Sequence, residues 1–129
     1  MKNGLYAFSI STIVDKRMLK QFEGKGSGQI TENSPWRTGA ALILDAIKIG
    51  AEMPVIFSDA ANDTETLLYW AVLRRIDIDG RQTVVSFDKF SRIRGKHGRS
   101  DLTRRRPRKR IKRNYIRPYA ICETPSFLK

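Results

Sequence analysis

Cysteine and histidine are nearly absent from this sequence. Cys122 and His97 are the only residues of their types among 129. A single cysteine excludes an intrachain disulfide and any zinc site that needs several cysteines. Such low cysteine usage suits a reducing compartment. We therefore expect an intracellular protein that needs no metal and no cofactor.

Long apolar segments are also missing. No apolar run approaches the roughly 18 residues that a membrane-spanning helix requires, and polar residues interrupt the apolar ones near the N-terminus, which is unlike a signal peptide. These absences predict a soluble cytoplasmic protein without membrane contacts. The length of 129 residues and the hydrophobic fraction of 40% are sufficient for one folded domain, residues 1–129, with a core of its own.

Acidic residues are scarce in one stretch of the chain. Residues 92–117 contain thirteen of the 25 Lys and Arg residues but only one of the 13 acidic residues, Asp101. The cations and acids of the remaining chain therefore balance. A neutral body with one cationic segment attracts a polyanion, and counterion release from phosphates drives binding. We predict a nucleic-acid partner, with RNA and DNA both open.

The densest part of this segment, residues 104–113, is basic at eight of ten positions. So many like charges repel one another unless a polyanion neutralises them. Glycines, Pro107 and the lack of apolar periodicity predict a loop or arm over residues 95–117 that is mobile when free and can become ordered on a ligand. Its end could attach to the body through Ile111, Tyr115 and Ile116. The run also resembles a nuclear-import signal if the source is eukaryotic. The residues predicted to grip the phosphate backbone are Arg99, Arg104, Arg105, Arg106, Arg108, Lys109, Arg110, Lys112 and Arg113.

Hydrophobic periodicity predicts two helices. The first begins at a cap formed by Asp15 and ends at Phe22, and residues 24–28 form a glycine-rich loop after it. The second begins after Thr38 and ends before Gly50. Its predicted apolar face has the spacing i, i+3, i+4 and i+7 and consists of Ala40, Ile43, Leu44 and Ile47.

Apolar and β-branched runs predict strands over residues 5–14, 54–58, 67–76, 83–87 and 118–122, with a further edge at 90–93. Asp79 and Gly80 predict a hairpin turn. Strands that follow one another directly indicate an α+β fold with a mainly antiparallel sheet or small open barrel, rather than parallel winding.

The middle of the chain resembles a known superfamily. The segments Ser-Pro-Trp-Arg-Thr-Gly (34–39), Met-Pro-Val-Ile-Phe-Ser (53–58) and Leu-Tyr-Trp-Ala-Val-Leu (68–73) are similar to the PUA-like superfamily, with EVE and YTH domains closest. The resemblance spans residues 5–93 and implies a small β-barrel with two or three flanking helices. It also implies that the barrel binds one modified base in an aromatic pocket. It implies that Trp36 is the pocket tryptophan and that Ser58 closes the next strand. Tyr69 and Trp70 stand where those families commonly have a small glycine, and the cationic segment has no counterpart there.

Residues near these motifs are candidates for contacting a base. Trp36 either packs under the helix or lines a pocket in which a base stacks, and core packing competes with ligand contact for the strand residues Tyr69 and Trp70. Polar side chains at a pocket rim could recognise a base edge. The full candidate set is Trp36, Ser34, Ser58, Asp59, Asn62, Tyr69 and Trp70.

Two other functions remain open. Asp59, Asp63 and Glu65 follow a strand and could serve a small metal-dependent hydrolase or nuclease-like enzyme, although loop carboxylates usually bond the backbone. His97 and Asp101 are four residues apart, but a flexible cationic segment holds catalytic geometry poorly. The third possibility is a structural RNA-binding protein without base selectivity. Our leading prediction is a non-catalytic nucleic-acid reader, whose enzymatic partner, if any, is a separate protein or domain.

Overall fold

The computed structural model describes residues 4–59, 65–105, 108–111 and 119–128. These residues form an α+β fold with two helices, six strands and one 3₁₀ turn. Their order is β1 (Phe8–Val14), α1 (Lys16–Lys25), β2 (Gly28–Glu32), α2 (Arg37–Lys48), β3 (Pro54–Asp59), β4 (Leu67–Asp79), β5 (Gln82–Arg92), the 3₁₀ turn (Arg99–Asp101) and β6 (Tyr119–Glu123). No helix in the described ranges has the length and apolar character needed to cross a membrane.

The six strands form one open sheet in the order β2-β5-β4-β3-β1-β6. Only β1 and β3 run parallel, and all other neighbours are antiparallel. The predicted α+β class and mainly antiparallel sheet are confirmed, whereas the predicted closure into a small barrel is wrong. Parallel neighbours need a long crossover. Here α1, β2 and α2 supply it and carry β2 to the edge opposite β6, so these two strands do not meet.

Helix α1 begins where the sequence predicts. The Asp15 carboxylate accepts a hydrogen bond from the Arg17 backbone N–H at 2.8 Å, which caps the helix start. The helix continues past the predicted end to Lys25 and ends at Gly26, whose φ of 73° is left-handed. Strand β2 follows at once, where the glycines had predicted a loop. Gly28 is required there because the Phe22 ring lies where a Cβ would be.

Helix α2 buries a face that overlaps the predicted one at Ile43 only. Its cap position is Trp36 rather than Thr38, and the exposed fractions of Leu44 and Ile47 are 67% and 57%. The helix instead approaches the sheet at Gly39, where an added Cβ would lie 2.8 Å from the Ile10 Cδ1 atom. Close approach at a residue without a side chain therefore decides which apolar stripe is buried. The buried positions are Gly39, Leu42, Ile43 and Ala46.

Strands β4 and β5 form a long hairpin around the predicted turn, with Gly80 at a φ of 63°. Strand β5 runs without a break to Arg92, so the separate edge predicted at 90–93 is part of it. Two register shifts interrupt the pairing, between Trp70 and Val72 and between Leu73 and Arg75. Irregularities of this kind increase the local twist of a sheet.

The sheet has an apolar core on each face. The first-face core lies under the two helices and includes Ile10, Val55 and Phe57. The second-face core contains Ile56, Leu67, Ala120 and Cys122 from the sheet, and no α-helix of the described chain covers it. Its cover comes from residues outside the strands: the buried Leu102, Ile111 and Leu128, and the partly buried Leu5, Ile93 and Phe127.

A pair of leucine substitutions tests the rotation of α2. Leu42→Ala removes a side chain that is 5% exposed and should lower the free energy of unfolding by about 2–5 kcal/mol. Leu44→Ala removes an exposed side chain of the same helix and should change it by less than about 0.5 kcal/mol. Urea unfolding followed by circular dichroism measures both. Equal losses would contradict the observed orientation.

Candidate nucleic-acid interface

The segment predicted to be a loop or arm contains, among its described residues, two short stretches that pair with each other as a β-hairpin. Its mobility in the absence of a ligand stays a prediction. We call residues 102–105 and 108–111 the cationic hairpin. The Ile111 N–H donates to the Leu102 carbonyl at 2.9 Å, and Thr103 bridges to Arg110. The Arg104 N–H donates to the Lys109 carbonyl at 2.6 Å. These bonds hold the two sides of the hairpin in register although five of its eight described residues are positively charged.

The hairpin also pairs with the edge of β6 that β1 leaves free. The Glu123 N–H donates to the Thr103 carbonyl, and the Arg105 N–H donates to the Ile121 carbonyl, both at 2.8 Å. A free sheet edge exposes unpaired backbone groups that favour strand addition. The hairpin satisfies those of β6, and its cations are thereby held at defined positions beside the sheet.

Two apolar side chains anchor the hairpin from below. Leu102 and Ile111 are each 1% exposed and belong to the second-face core. They are the only large apolar residues between positions 94 and 113. The expectation that Ile111 attaches the segment to the body is confirmed, while Tyr115 and Ile116 lie outside the described residues. Leu102 was missed, although an isolated leucine in so polar a stretch was a usable signal.

Glu65 fixes the start of the segment. Its backbone carbonyl accepts from the Arg99 N–H at 2.7 Å, and its carboxylate accepts from the Ser100 hydroxyl at 2.8 Å. Gly98 passes so close to this carboxylate that a Cβ there would overlap it. In this structure Glu65 therefore orients the backbone of the cationic segment.

The other residues proposed for a hydrolase do not form a visible metal site. Asp59 is 4% exposed, and Asp63 lies outside the described residues. Among the residues that are described, no group of three His, Cys, Asp or Glu side chains is arranged to hold a metal ion. The carboxylate of Asp101 accepts from the Gly98 N–H at 2.8 Å, which is a turn contact.

The predicted phosphate-gripping residues fall into three groups. Arg108, Lys109 and Arg110 are exposed, Arg104 and Arg105 are half-buried, and Arg99 is only 3% exposed. The burial of Arg99 contradicts its predicted role at the surface, because a phosphate cannot reach a guanidinium under the chain. The remaining predicted cations, Arg106, Lys112 and Arg113, lie outside the described residues.

Some cations of the segment already have intramolecular partners. Arg108 pairs with Glu123 at 2.6 Å, and the Arg110 guanidinium donates to the Asp101 carbonyl at 2.7 Å. Arg92 pairs with Glu23, and its guanidinium lowers the pKa of that carboxyl. In the part of the chain that the structure describes, the exposed Arg94, Lys96 and Lys109 form no ion pair. These three are the cations most available to an external phosphate.

The residues proposed for a base pocket are not brought together. Trp36 is fully buried, its ring stacks on Tyr119 with centroids 4.5 Å apart, and its backbone N–H donates to the Thr83 hydroxyl. Trp36 belongs to the first-face core. Ser58 alternates with Phe57 along β3 and so faces the second core. The sheet therefore separates Trp36 from Ser58.

Two of the remaining pocket candidates, Tyr69 and Trp70, pack against the body of the protein. Tyr69 is 7% exposed, stacks on Phe90 and donates its hydroxyl to Glu23 at 3.3 Å. Trp70 is half-buried against the second-face core. Asp59 is buried, Ser34 is half-buried, and Asn62 lies outside the described residues.

The single cysteine reports whether the hairpin stays docked. Burial beneath Leu102 and Ile111 raises the pKa of the Cys122 thiol to about 12, so at pH 8 very little of it is in the reactive thiolate form. We expect Ellman's reagent to label native Cys122 very slowly at pH 8, and Leu102→Ala to accelerate labelling at least about tenfold by opening the hairpin. Leu44→Ala on the far side is the matched control. Rapid labelling of the unchanged protein would show an undocked segment.

A tryptophan substitution tests the packing of Trp36. Trp36→Ala should lower the free energy of unfolding by about 3–5 kcal/mol, because it leaves a large cavity under Tyr119. Trp36→Phe preserves most of the packing and should leave the relative affinities for different oligonucleotides unchanged. A loss of base preference in a folded Trp36→Phe variant would instead restore the pocket hypothesis.

Comparison with family models, with characterised proteins and with solved structures found no match to this chain. The resemblance to PUA-like domains therefore stays a prediction, and the functional argument rests on the geometry of the chain itself.

Proposed function

We propose that this protein binds nucleic acid through the phosphate backbone, with the cationic hairpin and the adjoining residues 94–96 as the contact surface. The observation that carries this proposal is the docking of a strongly basic hairpin onto an otherwise neutral body by backbone pairing and two buried apolar anchors. Isolated solvated charges would need no such scaffold. A surface with positioned cations is suited to a ligand with regularly spaced negative charges.

The proposal is consistent with the energetics of phosphate binding. Each phosphate that a Lys or Arg neutralises releases condensed counterions, so affinity falls with salt in proportion to the number of contacts. Because the docked backbone is already ordered, less conformational entropy is lost on binding than with a free arm. The existing pair between Arg108 and Glu123 is exposed, with side-chain exposures of 77% and 38%. Pairs of that kind contribute at most about 1 kcal/mol, so Arg108 can exchange its partner for a phosphate.

Of the functions considered from the sequence, binding without base selection at Trp36 has the most structural support. A reader centred on Trp36 would require Tyr119 and helix α2 to move apart, because the tryptophan ring is sealed. A metal-dependent hydrolase would require Glu65 to leave the backbone groups that it orients. Neither displacement is needed for phosphates to approach Arg94, Lys96 and Lys109.

Two matched triple variants test the proposal. Arg94→Gln, Lys96→Gln and Lys109→Gln together remove three exposed cations of the contact surface, whereas Lys16→Gln, Lys20→Gln and Lys48→Gln remove three exposed cations from the helices. The first variant should bind RNA and DNA of any sequence at least about tenfold more weakly at low salt. The slope of log affinity against log salt concentration should fall by about two to three, because each lost phosphate contact lowers it by about one.

The helix variant should bind as the unchanged protein does. Fluorescence anisotropy of labelled oligonucleotides over a salt series gives both quantities. An equal loss of affinity in the two variants would mean that net charge alone causes association, and the assignment of the surface would be wrong.

A further inference from the structure

A polar cleft opens beside the cationic hairpin. Its volume is about 430 Å³, within the range typical of ligand pockets. The hairpin contributes Thr103 and Arg110 to its lining, and the preceding segment contributes His97 and Asp101. The chain from Glu123 to Phe127 completes it. Every element that forms the cleft is therefore either part of the cationic segment or paired with it.

Two stacked rings form part of the cleft wall. The ring centroids of His97 and Phe127 are 3.7 Å apart, and the ring planes are inclined by only 6°. Both side chains are half-buried and line the cleft. Aromatic side chains beside positive charges are surfaces on which proteins stack unpaired bases.

The cleft also carries hydrogen-bond acceptors. The Asp101 carboxylate accepts one bond from the Gly98 N–H, and the Glu123 carboxylate accepts one from Arg108. An ionised carboxylate has about four acceptor positions, so both retain capacity for a further donor. Carboxylates accept hydrogen bonds from the exocyclic amino group of a base such as cytosine. Uracil and thymine have no exocyclic amino group.

We propose that this cleft receives one unpaired base of a single-stranded nucleic acid and prefers bases that carry an exocyclic amino group. The base stacks on the pair formed by His97 and Phe127, its amino group donates to Asp101, and Arg110 contacts the neighbouring phosphate. This inference rests on the proposed function and specifies its ligand. A base paired within a duplex cannot enter, so the cleft confers a preference for single strands.

Two variants test the cleft: one removes an aromatic ring, and the other removes a carboxylate charge. Phe127→Leu keeps an apolar side chain against the second-face core but removes the ring. It should weaken binding of an eight-residue oligodeoxycytidylate at least about fivefold and leave binding of a short duplex unchanged. Asp101→Asn keeps a carbonyl oxygen for the Gly98 N–H but removes the charge. It should abolish the preference for oligodeoxycytidylate over oligodeoxythymidylate that we expect of the unchanged protein.

Anisotropy titrations at one salt concentration give the affinities for each oligonucleotide and hence these ratios of affinity. Thermal unfolding of each variant checks that it is folded. Equal affinity of the unchanged protein for the two oligonucleotides, or an intact preference in Asp101→Asn, would overturn the cleft proposal while salt-dependent binding still supported the proposed function. If neither the single strands nor the duplex bound at low salt, the proposed function itself would fail.

Discussion

The insertion of Leu102 and Ile111 into the second face of the sheet is the contact on which the rest of this structure depends. This sheet has an apolar core on each face, and the helices cover only one of them. Together with Leu128, the two anchors cover Ile56, Ala120 and Cys122. Burial of these side chains offsets the repulsion among the arginines that flank the anchors. The same contact completes the core and positions the charges.

Backbone hydrogen bonds fix the position of the anchored hairpin beside strand β6. Strand β6 is an edge strand, and the hairpin bonds to it through Thr103, Arg105 and their partners on β6. Each bond contributes little net free energy, but an unpaired buried backbone group is costly. The result is a short extension of the sheet that carries five cationic side chains beside its two apolar anchors. Exposed ion pairs with Glu123 and with Glu23 restrain two of the arginines only weakly.

The fold could be predicted in part because local signals decide some of its elements. Asp15 as a cap, the turn at Gly80 and the apolar run of β3 are local features, and all three are present as predicted. Strand β2 was missed because it has five residues with one buried position, Ile30. Its partner β5 is more than fifty residues away, and pairing with it outweighs the glycine-rich composition. The buried face of α2 depends likewise on Ile10, a residue from another strand.

The candidate interface, like the fold, could be predicted from the sequence only in part. The sequence by itself determined that the positive charge is concentrated in residues 92–117 and that an α+β fold with two helices and several antiparallel strands carries it, because composition and periodicity are local properties. Only the tertiary structure decided that Trp36 is sealed against Tyr119, that Arg99 is buried, and that His97 and Phe127 meet in one cleft. These outcomes depend on which strands become neighbours and on what covers each face of the sheet. Strand order is set by contacts between distant parts of the chain, which no local pattern encodes.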